Sequence, residues 1–344
     1  MSGILSADDI VRIGSWSIRV NRRAARTTGV LSAAVLIALI SSLCIGTIML
    51  SPGDLIDTVI GDVFPATVRS VWARRMPRAL TALLVGAGLA MSGAIFQSLS
   101  RNPLGSPDII GFTTGAATGA VAQIILFHGG VLETSIAAMA GGLVTASLVY
   151  VLARRDGISG GVRLVLVGMG VGAAMGAITA LLMVRADIND ATVAQLWSAG
   201  SLTGRGWPHV TILLFVLLLL VPMLISCART VSFLEMGDDA ARSLGVSAER
   251  NRVVALILGV AAAAVAVAAA GPIAFVAFAA PQIARRLAPA PGVQLGVSAL
   301  TGSLLLLLAD LLAQNLEIGL RTPVGLVTSL LGGLYLLCLL ARRI

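Results

Sequence analysis

RRMPRALTALLVGAGLAMSGAIFQSLSRNPLGSPDIIGFTTGA, residues 74–116, decides the fold class. It opens on Arg74, Arg75 and Arg78 around a proline, then runs from 79 to 98 without a charge. An apolar run of about 20 residues is long enough to cross a bilayer as a helix. Pro77 pre-sets φ where that helix starts. The stretch 97–111, QSLSRNPLGSPDIIG, then breaks the helix with Asn-Pro, Gly and Ser-Pro before a new apolar run begins near 109.

The alternation recurs along the chain, with apolar runs at 29–50, 79–98, 109–127, 131–153, 162–184, 210–227, 253–270, 272–284, 294–313 and 323–341. The expected fold is an all-α polytopic membrane protein of about ten transmembrane helices. Residues 1–28 form a polar, basic leader, read as cytoplasmic and as an interfacial helix. Residues 29–344 form one transmembrane domain, with a charged linker at 229–252. The run at 272–284 follows a Gly-Pro break and is short for a span, so it either crosses or re-enters. Counting it as a crossing puts both termini on one side. Seventeen arginines then lie inside and seven outside, an arginine bias that sets the amino terminus in the cytoplasm.

Composition excludes some chemistry. All 24 cationic side chains are arginine, so the lysine of an ordinary phosphate-binding P-loop is missing. No ATP-hydrolysing site of that kind exists here, so any energy-driven work would draw on a gradient or a partner. Hydrophobic residues make up 57% of the chain and charged ones 12%, with mean hydropathy +0.98, which places the chain in a bilayer. The arginines sit at the ends of apolar runs, which points to topology and away from nucleic acid. Cys44, Cys227 and Cys338 lie singly in apolar segments and read as small core residues. His128 and His209 fall in expected loops with no partner at metal spacing, so no metal site is expected.

Gly168, Gly170, Gly172 and Gly176 crowd the fifth run, and Gly115 and Gly119 form a small-xxx-small pair in the third. Tight helix packing explains such glycines. A translocation pathway lined by smooth helix faces is the sharper reading of the fifth run. Asp310 is the exceptional acid inside an apolar run. A structural hydrogen bond near the outer end of its helix is expected ahead of a functional carboxylate. The cluster RRMPR lies on the arginine-poor side, where it offers a docking surface for acidic groups or an attraction for an anionic substrate. LEMGDDAARSLGVSAER, residues 234–250, reads as a short polar helix between glycine breakers, suited to seat a soluble partner.

These segments resemble a known family. Residues 75–116, the 234–250 segment, GPIAFVAFAAPQIARR at 271–286, and ADLLAQ with TPVGLVTSLLGGLYLLCLL within 309–340 are similar to permease subunits of the iron-siderophore and vitamin B12 ABC importers. The resemblance covers roughly 30–342 and leans towards the siderophore members. It implies a type II ABC importer permease fold in the bacterial inner membrane. The chain would pair with a second permease, paralogous in preference to identical. Two cytoplasmic ATPases would supply ATP and Mg chemistry, and an extracytoplasmic binding protein would deliver a ferric siderophore. Cobalamin or haem is the alternative cargo, and an ion-coupled secondary transporter the alternative mechanism. This chain itself would bind no cofactor and be no enzyme.

The resemblance also assigns residues. Arg75 and Arg78 match outer arginines that meet acidic groups on the binding protein. Glu235, Met236, Gly237, Asp238, Asp239, Arg242, Leu244, Gly245 and Glu249 match the region that docks in the ATPase cleft. Gln314 stands where some relatives carry arginine after the ADxxA motif. Arg321-Thr322-Pro323-Val324-Gly325 replaces a common Glu-Leu-Pro-x-Gly. One outer basic contact is therefore expected to be lost, and another moved to Arg321.

Overall fold

A computed structural model describes residues 8–13, 16–46, 49–60, 70–108, 111–154, 161–315 and 322–341. The leader does not form the expected interfacial helix. Asp8–Ile13 (β1) and Trp16–Asn21 (β2) pair as an antiparallel hairpin, with Asp8 opposite Asn21 and Ile13 opposite Trp16. Trp16, Ile18 and Val20 alternate with polar residues around Gly14-Ser15, which is a strand and hairpin-turn pattern. Basic composition had masked that period of two.

The remaining regular elements among the described residues are helices. The helices are α1 (Arg22–Cys44), α2 (Pro52–Ile60), α3 (Met76–Ser100), α4 (Phe112–Phe127), α5 (Val131–Ala153), α6 (Gly161–Arg185), α7 (Ile188–Ser198), α8 (Trp207–Glu235), α9 (Asp238–Ser243), α10 (Ala248–Ala270), α11 (Val276–Leu287), α12 (Leu295–Asn315) and α13 (Val324–Ala341). A π-helical turn, Val71–Arg75, leads into α3. Among the described residues, seven helices are long and apolar enough to cross a membrane, and α4 and α13 are shorter apolar helices.

Contacts between helix ends sort the bundle into two ends. At the upper end the α1 terminus meets Arg75, Trp207 Nε1 donates to the Trp72 carbonyl at 2.8 Å, and Ser201 N donates to the Ala270 carbonyl at 2.8 Å. At the lower end Thr27 Oγ1 donates to the Leu287 carbonyl at 3.2 Å, and Arg285 reaches Ser98 and Glu235. The short eighth run is thereby resolved. It leaves α10 at the upper end, descends as an extended chain through Gly271-Pro272, and finishes as α11 at the lower end. A Cβ on Gly332 of α13 would overlap the Phe275 ring, so that glycine admits the ring halfway down. The described helices thus make ten traverses, and the start of α1 and the end of α13 share the lower end.

Helix α3 is the axis of the bundle. It packs against α8, α10, α11 and α12. Polar side chains join the helices where lipid offers no partner. Ser92 donates to the Gly259 carbonyl (2.7 Å), Gln97 to the Phe278 carbonyl (2.9 Å), and Ser303 to the Leu83 carbonyl (2.8 Å). Cys227 is buried as expected, whereas Cys338 is exposed on α13 and Cys44 is half-buried.

Candidate functional site

Three places hold the residues singled out by sequence. The first is the lower-end segment between α8 and α10. Gly237 (φ +117°) and Gly245 (φ +78°) adopt left-handed or extended positive-φ backbone that L-side chains rarely take, and they bracket the short α9. Ala241 is buried and seats α9 on the bundle. Asp238 accepts from Arg252 Nη2 at 2.8 Å to both carboxylate oxygens, and from Arg101 Nη2. Arg101 Nε also donates to the Leu234 carbonyl at 3.0 Å. Glu249 accepts from Arg252 Nη1 at 2.7 Å and from the Tyr150 hydroxyl at 3.2 Å. Glu235 meets Arg285 at 3.1 Å.

Burial pushes Asp238 up, but the hydrogen bonds and charges of Arg252 and Arg101 outweigh it and hold this carboxyl below the usual range. The nine candidate residues therefore divide by direction. Glu235, Asp238 and Glu249 turn inward as a clamp. Met236 and Leu244 are exposed, and Asp239 and Arg242 form a surface pair at 3.5 Å. The outward face of the segment is thus an apolar rim with one charge of each sign. Sequence reasoning did not identify Arg101, Arg252 and Arg285 as its fasteners, because each also reads as an ordinary inner topology charge.

Next to this clamp, the turn after α3 carries Asp108, which accepts from Thr113 Oγ1. Burial raises its pKa, and the Thr113 hydrogen bond opposes the shift. Arg101 caps α3 in left-handed backbone (φ 49°), which aims its side chain at α9.

The second place is the upper end. Arg78 forms a two-point pair with Asp310, Nη2 to Oδ1 at 2.8 Å and Nε to Oδ2 at 3.0 Å. Gln314 Nε2 donates to the same carboxylate at 2.8 Å, and Asp310 is fully buried. Arg75 Nη1 donates to the Leu43 and Cys44 carbonyls at 2.7 and 3.2 Å. Both arginines expected to face a docking protein are thus half-buried and bonded into the bundle. Arg74, next to them on the π-turn, is exposed. Arg321 lies outside the described residues.

The third place is α6. Only 11% of its most apolar stretch is buried, against 78% for the segment containing α3. Gly168 is buried, with its carbonyl close to Gly111. Gly172 faces Thr114, and a Cβ there would sit 3.3 Å from the hydroxyl. Cβ atoms on Gly170 and Gly176 would meet nothing within 4 Å. Among the described residues, Gly168 and Gly172 are the two of these four glycines that meet other helices of the chain.

Among the described residues, no group of three or more His, Cys, Asp or Glu is placed to hold a metal ion. Known proteins share both the sequence and the fold. The FecCD transport family matches residues 34–342. The chain is 43% identical to the ferric enterobactin transport system permease protein FepG of Escherichia coli (strain K12), over 95% of this chain and 98% of that one. It is 35% identical to the iron(3+)-hydroxamate import system permease protein FhuG of Bacillus subtilis (strain 168), over 90% and 94%. It is also 37% identical to the cobalamin import system permease protein BtuC of Halobacterium salinarum, over 78% and 72%. A solved metal-chelate type ABC transporter in an inward-facing conformation superposes with a TM-score of 0.83 at 28% identity, covering 93% of this chain and all of that one. With its bundle, its clamped lower-end helix and these relatives, the chain belongs to the FecCD transport family of ABC importer permeases, membrane transport subunits without ATPase activity of their own.

Proposed function

We propose that this permease carries a ferric siderophore inward, as half of a heterodimeric pathway, powered by two ATPases docked at its lower end. The observation that carries this reading is the α9 segment. Its carboxylates bind arginines from three other parts of the bundle, while Met236, Asp239, Arg242 and Leu244 face outward. Force applied to that face reaches α3 through Arg101, α10 through Arg252 and α11 through Arg285. The 17-to-7 arginine bias supports a cytoplasmic position for this end. The sparsely buried α6 supports a second permease and the pathway beside it. The upper end is then extracytoplasmic and receives the binding protein. ATP and Mg would act in the partner ATPases alone.

Siderophore cargo is supported by relatives whose names include ferric enterobactin and iron(3+)-hydroxamate. Reconstitution with the neighbouring permease, the ATPases and the binding protein tests the whole reading. Uptake should require ATP and should not follow a proton gradient alone. In a competition panel, iron–catecholate or iron–hydroxamate should outcompete haem and cobalamin. Preferential cobalamin transport would move the chain to the other branch of the family. A transport-competent pair of two identical copies would overturn the heterodimer.

A further inference from the structure

We propose that the lower half of the bundle holds an anionic phospholipid in a side groove between α5, α6 and α10. The groove encloses about 290 Å³ and is walled by Phe96, Leu143, Tyr150, Leu164, Leu256 and Val260. Its lining is almost wholly apolar, and Leu143, Val151 and Ile257 along its flanks are exposed. It therefore opens sideways, and with α5, α6 and α10 spanning a bilayer its open flank would meet lipid chains. An acyl chain has the shape and chemistry to fill it.

The mouth of the groove selects the headgroup. Tyr150 and Val151 line the wall on α5, and Arg154 continues that face one helical turn lower. Val253 and Ile257 line it on α10, and Arg250 continues that face towards the same end. Arg163 directly precedes the lining residue Leu164 and donates to the Leu152 carbonyl at 3.2 Å, which ties α6 to α5 at the rim. All three arginines are exposed. The carboxylate at the mouth, Glu249, is already bonded to Arg252 and Tyr150. Among the described residues the rim is therefore net positive, and basic pockets between spans on the cytoplasmic side attract anionic headgroups. An acyl chain in the groove and a phosphate on Arg154 and Arg250 satisfy both parts together. Bound there, the lipid would brace the α5–α10 contact beside the Glu249–Arg252 half of the clamp. The proposal rests on the helices being membrane spans with the lower end cytoplasmic, as proposed above, and is independent of the cargo.

Native mass spectrometry of the full chain, purified with its partner subunits, provides the test. The probes are phosphatidylglycerol and phosphatidylcholine of equal chain length, added at equal concentration. Wild type should retain phosphatidylglycerol about tenfold over phosphatidylcholine. Arg154→Gln/Arg250→Gln should bring the two lipids level while melting as wild type does without added lipid. Ala146→Trp should fill the groove and lose both lipids from this site. Equal retention by wild type, an undiminished preference in the double arginine variant, or unchanged retention in a folded Ala146→Trp protein would each overturn the proposal.

Discussion

Two glycine-rich helices of this bundle use the same residue in opposite ways. On α3, a Cβ at Gly86 would overlap the Gly302 carbonyl of α12, and one at Gly93 would overlap the Ala277 carbonyl of α11. Backbone meets backbone there, and only glycine permits it. On α6, a Cβ at Gly170 or Gly176 would meet nothing within 4 Å beyond its own helix. A helix whose small residues are already filled by its own chain belongs to the fold. A helix whose small residues stand open is available to another chain. Composition cannot distinguish the two, since both read as glycine in an apolar run.

The largest expected effect lies on the packed side. Arg78→Gln removes the cation facing Asp310, which is fully buried and keeps only Gln314. Breaking a buried pair from one side destabilises by about 3–5 kcal/mol. The purified variant should melt far below wild type, and Arg78→Gln/Asp310→Asn should recover most of the loss. If the single variant melts normally while binding-protein affinity falls, Arg78 is a docking residue and not a bundle fastener.

A smaller effect separates the helices directly. Gly93→Ala forces a methyl against backbone and should destabilise by about 1–3 kcal/mol, the usual range for overpacking. Gly176→Ala should be neutral for the isolated chain or slightly stabilising, because alanine is the better helix former by up to about 1 kcal/mol. Its defect should appear only in assembly with the second permease or in uptake. Thermal melting of both variants, with pull-down of the partner permease, measures this contrast. Equal destabilisation at the two positions would erase the distinction between packed and open glycines.

The coupling segment combines both behaviours within a few residues. Gly245→Val places a β-branched side chain at φ +78°, where left-handed backbone costs about 1–2 kcal/mol. Open space surrounds that position, so strain should disturb α9 locally and leave the bundle folded. In an assembled complex, ATP hydrolysis should continue while uptake drops severalfold. Normal coupled uptake would make Gly245 an indifferent loop residue. The clamp also has a pH signature. Asp238 titrates below its unfolded value, so its pairs stabilise above about pH 4 and weaken only as pH falls through the depressed value. Attachment of α9 should therefore be constant from neutral to mildly acidic pH, as read by amide exchange across Asp238–Ser243.

How much of this is legible in the sequence follows from which signals are local. Apolar runs and Pro/Gly breaks are local, so nine traverses and the polar α9 segment can be read directly from the order of residues, whereas the short run at 272–284 reads equally as a crossing or a re-entry. Asp310 can be singled out because a carboxylate in an apolar run is conspicuous alone. Its partner cannot, because Arg78 lies 232 residues away and reads as an outer surface charge. The same kind of separation hides Arg101 from Asp238. The leader hairpin is local and still escapes the sequence reading, because its arginines draw attention from the alternation of Trp16, Ile18 and Val20.

The smallest effect concerns the upper end, where open and engaged side chains sit next to each other. Arg75 and Arg78 are bonded into the bundle, whereas Arg74 is exposed on the π-turn. An exposed charge acts mainly by steering, and its contribution is screened within about 10 Å at 0.1 M salt. Arg74→Glu should therefore slow association with the binding protein at low salt, leave dissociation nearly unchanged, and lose its effect as salt rises. Melting should not move, because no bundle contact is broken. Surface plasmon resonance against the reconstituted complex, repeated over a salt series, reads this directly. Arg75→Gln is the control on the engaged side: it releases the Leu43 and Cys44 carbonyls and should lower melting before it alters the salt dependence of association. Should Arg75→Gln change only the salt-dependent association rate while Arg74→Glu changes nothing, Arg75 would be the docking charge despite its internal bonds.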